Sequence, residues 1–77
     1  MNIKVLGPGC KNCKKLYAMI EEIIKENGLD ASLEKVFDYG EIIKYGVMIT
    51  PAVIIDGKTV FSGRVPSKSD LTQMIAG

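Results

Sequence analysis

Both cysteines of the chain fall in one stretch, Gly7-Pro8-Gly9-Cys10-Lys11-Asn12-Cys13-Lys14, where an apolar run stops and a helical stripe starts. The run Asn2-Ile3-Lys4-Val5-Leu6 reads as a short strand, and the breakers Gly7, Pro8 and Gly9 close it. From Cys13 the apolar residues Leu16, Tyr17, Ile20, Ile23 and Ile24 follow at offsets 3, 4, 7, 10 and 11, which is one face of a helix. Lys11, Lys15, Glu21, Glu22, Lys25 and Glu26 populate the other face. Glu21 precedes Lys25 in the favourable order, and Asn27-Gly28 supplies the stop. A strand therefore feeds a helix, and the two thiols sit at the turn between them.

Residues three apart on an ideal helix have Cα atoms about 5 Å from each other, inside the window of roughly 4.4 to 6.8 Å that a disulfide spans. Such a pair can open and close without unfolding its surroundings. With Cys10 at the helix N-terminus, unpaired N–H groups and the positive end of the macrodipole favour thiolate over thiol. Cys10 is then the nucleophile and Cys13 the resolving thiol. Lys11, Lys14 and Lys15 place positive charge in the first turn, where helix electrostatics alone favour Asp or Glu. Lys11 and Lys14 are the candidates for electrostatic support of the thiolate, and a solvated face is the alternative reading.

Composition narrows the chemistry. Seventy-seven residues make one small domain, 1–77, near the size at which a core is only just sufficient. A formal net charge of +1 gives no polyanion-binding field, so neither nucleic acid nor a membrane surface is an expected partner. The absence of histidine removes imidazole bases and imidazole ligands, so a nucleophile must be activated by backbone dipoles and lysines. A structural zinc site needs four ligands, and two thiolates in one chain would require a dimer to complete it. No metal site and no bound cofactor are expected, and the expected state is a monomer. With no secretory signal, no apolar run approaching about 18 residues and no disulfide framework, a reducing cytoplasm is the expected location.

Further along, Ala31-Ser32-Leu33-Glu34-Lys35-Val36 alternates loosely and carries charge, which suits a parallel edge strand reached by the helical crossover. Asp38, with Glu41 three residues on, suggests a capping box for a short helix carrying Ile42, Ile43 and Tyr45, ended by Gly46. Met48-Ile49-Thr50-Pro51 leads into Ala52-Val53-Ile54-Ile55, the two-residue turn Asp56-Gly57, and Lys58-Thr59-Val60-Phe61-Ser62, an antiparallel hairpin signal. Gly63 interrupts the second strand. Ser67 is positioned to cap a last helix with Leu71, Met74 and Ile75 on its apolar face. The order is βαβαββα, with no repeat, linker or low-complexity tract.

That order, with Cys-x-x-Cys between the first strand and helix and Thr-Pro before the hairpin, resembles the minimal, glutaredoxin-sized thioredoxin fold. It implies a four-stranded mixed sheet and three helices in the α/β class. More closely, Gly9-Cys10-Lys11-Asn12-Cys13-Lys14 with Thr50-Pro51-Ala52-Val53 resembles the small thioredoxin-like "redox-active disulfide protein 2" family. The resemblance implies that Cys10 and Cys13 form a redox-active disulfide, and that Pro51 is a cis-proline facing it. It also implies that Thr50, Pro51 and Gly63 contact substrate. By itself Pro51 would read as a trans proline at a strand start, since cis accounts for only about 5 to 6 per cent of X-Pro bonds in folded proteins. The best-known thioredoxins carry Trp before the first cysteine and Gly-Pro between the two. Gly9 and Lys11-Asn12 stand there instead, and no obvious buried carboxylate lies behind the pair.

The expected function is that of a thiol–disulfide oxidoreductase that reduces protein disulfides through Cys10 and Cys13. Its partners would be disulfide-containing proteins and an electron donor, either a thioredoxin-reductase-like enzyme or a small thiol. From other classes come a carrier of Cu(I) or another thiophilic ion held by the two thiolates, and an inactive docking module.

Overall fold

The computed structural model of the chain describes residues 1–8 and 11–76. The described elements run β1 (Asn2–Leu6), α1 (Lys11–Glu26), β2 (Ser32–Val36), α2 (Tyr39–Lys44), β3 (Ala52–Ile55), β4 (Lys58–Ser62) and α3 (Lys68–Ala76). This is the expected βαβαββα order. The expectation that Cys10 opens α1 lies outside the described residues.

The strands form one mixed sheet in the order β2-β1-β3-β4. β1 runs parallel to β2, as a helical crossover requires, and antiparallel to β3. The Asp56-Gly57 turn has positive φ at both residues (50° and 83°), the backbone a two-residue hairpin turn demands. Asp56 also ties the hairpin to β1, because its carboxylate accepts from the Asn2 amide at 2.8 Å and its own amide donates to the Asn2 carbonyl at 2.8 Å. Between β3 and β4 the register shifts at Val53/Ile54, so Val60 is passed over and stands exposed.

Alternation along the strands splits the core into two clusters. On one face Ile3, Val5, Val53 and Phe61 pack with Leu16, Ile20 and Ile23 of α1 and Leu71 and Ile75 of α3. On the other, Leu6, Ala52 and Ile54 pack with Ile42 of α2 and Val47. A four-stranded open sheet with helices on both faces is the thioredoxin-like architecture.

Several local expectations are corrected. β2 starts at Ser32, not Ala31, because its ladder with β1 opens at Asn2. Asp38 does cap α2, but through the Gly40 amide at 2.8 Å, and Glu41 turns to Lys44 Nζ at 3.3 Å instead of completing a capping box. Ile43, expected within the short helix, is 67 % exposed, and Met74, assigned to the apolar face of the last helix, is 36 % exposed. A helix of six residues buries one side of about one turn, and Ile42 fills it. Ser67 acts as expected, its hydroxyl accepting from the Asp70 amide at 3.2 Å.

Candidate functional site

Strand register gathers the site at one end of the sheet. Leu6, the last residue of β1, pairs with both Val36 of β2 and Ala52 of β3, and Ala52 pairs with Ser62 of β4. The residues one step beyond, Gly7, Phe37, Pro51 and Gly63, therefore share this edge. Two hydrogen bonds extend the ladders across it: the Gly7 amide donates to the Val36 carbonyl at 2.8 Å, and the Gly63 amide to the Pro51 carbonyl at 2.9 Å. Gly63 is brought in this way to Thr50 and Pro51, which precede it across the β3-β4 hairpin.

Cys13 comes to the same edge from α1. Its side chain is buried on the helical face that continues through Leu16, Ile20 and Ile23. Gly7 is what admits it. A β-carbon on Gly7 would overlap Cys13 Sγ, while lying 3.1 Å from Cys13 Cβ and 4.0 Å from Thr50 Cβ. The sulfur thus rests directly on the Gly7 backbone, and that backbone is held by β2. Thr50 flanks the same point, which places Cys13 next to the Thr50-Pro51 bond, and this bond is cis.

Gly63 has φ +80°, and a β-carbon there would stand 2.8 Å from Ile49 Cγ2. The glycine lets the segment before Pro51 fold down on β4. Met48 and Ile49, 95 and 63 % exposed, lead into the buried Pro51, so the edge carries an apolar rim.

No acidic residue occupies the first turn of α1, and Lys11, Lys14 and Lys15 are exposed there. A cavity of about 300 Å³ opens between α1, β1 and β2, with Cys13, Lys14, Lys35 and Phe37 in its lining. The lining contains no acid, and among the described residues no polar or charged side chain is fully buried. On the other face of the sheet Lys4 donates to the Tyr45 hydroxyl at 2.6 Å and pairs with Glu34 at 3.5 Å. The Tyr45 hydrogen bond, with the nearby Tyr45 and Glu34 oxygens, raises the Lys4 pKa above 10.5, so this amine stays protonated.

Sequence reasoning singled out Cys13, Thr50, Pro51 and Gly63 and missed Gly7, Lys35 and Phe37. In sequence Gly7 is a strand breaker; in the fold it is also the point at which Cys13 reaches the backbone beyond β1.

A family model for the thioredoxin domain matches residues 1–76. Among curated proteins the chain is 34 % identical over 76 residues to a thioredoxin of Methanothermobacter thermautotrophicus, covering 99 % of both chains. It is 35 % identical over 71 residues to a thioredoxin of Methanocaldococcus jannaschii, covering 92 % of this chain and 81 % of the relative. Together with the sheet order, these likenesses identify the chain as a member of the thioredoxin family of oxidoreductases.

Proposed function

We propose that this chain reduces disulfides in protein substrates by a cycle in which Cys10 is the nucleophile and Cys13 the resolving thiol. The observation that carries the reading is the seat of Cys13, 5 % exposed and packed against Gly7 beside Thr50. A sulfur so enclosed is poorly placed to meet a protein first and well placed to attack a bond formed next to it. Cys10 thiolate attacks the substrate disulfide, forming a mixed disulfide and expelling one substrate thiolate. Cys13 then loses its proton and attacks the Cys10 sulfur, so that the second substrate thiolate leaves and the Cys10–Cys13 bond forms. Two electrons pass to the substrate, and both expelled thiolates take up protons. Lys11 and Lys14 support the thiolate state of Cys10 electrostatically.

Met48 and Ile49 offer apolar contact to an extended substrate segment lying along Thr50 and Pro51, with Gly63 at its side. The reduced state is restored by a thioredoxin-reductase-like enzyme or by a small thiol. The decisive experiment compares Cys13→Ser with Cys10→Ser after exposure to cell extract, by non-reducing gel and intact mass. Cys13→Ser should accumulate mixed disulfides, because its loss removes the neighbour with a high effective concentration, and Cys10→Ser should accumulate none. Symmetrical behaviour, with stoichiometric copper on the wild type, would replace this reading by the soft-metal carrier.

A further inference from the structure

We propose that Arg64 makes this chain selective for acidic substrates, its guanidinium pairing with a carboxylate in the protein segment that lies along Thr50 and Pro51. This rests on the disulfide-reductase reading above and adds to it the class of substrate segment.

Arg64 is the single arginine among ten cationic residues, and strand register sets it at the substrate edge. The Gly63 amide donates to the Pro51 carbonyl at 2.9 Å, so Arg64 is the next residue beyond the bond that ties the end of β4 to the cis-proline. Its backbone is anchored on the other side as well, since Val65 packs on the core and Pro66 is buried. The side chain itself is exposed. Its guanidinium carbon stands 6.0 Å from the centroid of the Phe61 ring, a contact that orients the group without neutralising it. Lys4, Lys44 and Lys68 each pair with a glutamate, whereas Arg64 makes no ion pair among the described residues.

The formal net charge of +1 is the sum of two unlike ends. β1 finishes at the substrate edge, and α1 carries the chain back to the opposite end, where β2 begins beside Asn2. Lys11, Lys14 and Lys15 therefore stand at the Arg64 end, all exposed and none in an ion pair among the described residues. Glu26 closes α1 at the other end, where the Asp56 carboxylate accepts from the Asn2 amide. Asp38 and Glu41 begin α2, across the sheet from Phe61, and are engaged with the Gly40 amide and Lys44. An acidic segment approaching Pro51 meets a cationic rim, and opposite charge speeds that encounter. The lysines act at a distance on any anion. Arg64, one residue from the bond to Pro51, offers a planar fork of donors that fits a carboxylate at one position of the bound segment.

The test mixes the reduced full chain, freed of reductant, with symmetrical disulfides of one single-cysteine peptide at low ionic strength. Asp, Asn or Lys is placed in turn at each of the two positions on either side of the cysteine. Acid quench, alkylation and intact mass follow oxidation of the protein, and each rate is divided by that of dithiothreitol on the same peptide. At one of these positions the wild type should favour Asp over Asn by about fivefold and Lys should be slowest. Arg64→Gln should lower that preference by about three- to fourfold, Arg64→Lys should lower it less, and Arg64→Glu should turn it toward Lys. Lys15→Gln should change it by less than about 1.5-fold, and added salt should narrow it. Absence of an Asp preference at every position, or an equal fall in Arg64→Gln and Lys15→Gln, would overturn the assignment to Arg64 and leave the disulfide-reductase reading standing. Failure of the protein to react with any of the peptides would reject both.

Discussion

The two faces of the sheet are covered unequally. On one, α1 and α3 lay long apolar stripes over Ile3, Val5, Val53 and Phe61. On the other, a six-residue helix contributes Ile42 alone as a fully buried side chain, and its Tyr39 and Ile43 remain exposed. The first face spends its apolar residues on burial and fixes the helix that carries Cys13. The second leaves apolar side chains of its short helix in solvent. Burial is thus divided unequally between the faces, and β1 connects them.

Core truncation is the strongest way to break this comparison. Ile20→Ala should cost about 3 to 5 kcal/mol, because Ile20 is fully buried between two helices and a sheet that cannot collapse on the void. Ile42→Ala should cost less, about 2 to 3 kcal/mol, since the thin α2 layer can settle into the space. Ile43→Ala, at a position 67 % exposed, should stay within about 0.5 kcal/mol. Urea midpoints check all three, and equal losses at Ile20 and Ile42 would mean that the faces support the fold alike.

Next in size comes the seam between the faces. Gly7→Ala should destabilise by about 2 to 3 kcal/mol, the overpacking cost of driving a methyl group into Cys13 Sγ against a backbone pinned by Val36. In a Cys13→Ala background, under reducing conditions, most of that cost should vanish. A double-mutant cycle with no coupling would show that Gly7 serves only as a turn residue. A smaller effect sharpens the picture of α2: Asp38→Ala should cost about 1 kcal/mol through loss of its cap to Gly40. Amide exchange should rise in α2 and leave α1 unchanged.

How much of this was legible in the sequence follows the same division. α1 announced itself because its stripe runs unbroken from Cys13 to Ile24 over about three turns, and the hairpin because Asp56-Gly57 admits few backbones. α2 was legible as an element but not in its burial, since in six residues periodicity cannot tell Ile42 from Ile43. Cys13, Thr50, Pro51 and Gly63 were singled out by motif and resemblance, and the fold brings them to one end of the sheet. Gly7, Lys35 and Phe37 were not singled out, because their part in the site comes from register: Leu6 pairing with Val36 carries Gly7 and Phe37 to one edge, a relation no local pattern encodes. Lys35 looked like one more charge on an edge strand until its neighbours were known.

The smallest expected effect concerns the thick face, where α3 is tied to α1 at the surface. Lys68 Nζ donates to Glu26 at 2.6 Å and to Glu22 at 3.2 Å, joining the start of α3 to successive turns of α1. The Glu26 hydrogen bond first, then the Glu22 one, raise the Lys68 pKa above its ordinary 10.5. A raised pKa means that the fold favours the protonated amine. Its contribution is fully present below pH 10.5 and is lost as pH climbs through the higher folded value. Both partners are exposed, so solvent and salt screen the pairs and the effect at neutral pH is small. Lys68→Met should therefore lower the urea midpoint slightly at about pH 7, and the gap to wild type should narrow as pH rises above 10.5 and through the higher folded value, where the amine gives up its proton. Added salt should narrow the gap at neutral pH as well. A gap that persists at high pH would assign the contribution of Lys68 to the packing of its methylenes between α1 and α3, and would make the attachment of α3 as apolar at its surface as it is in the core.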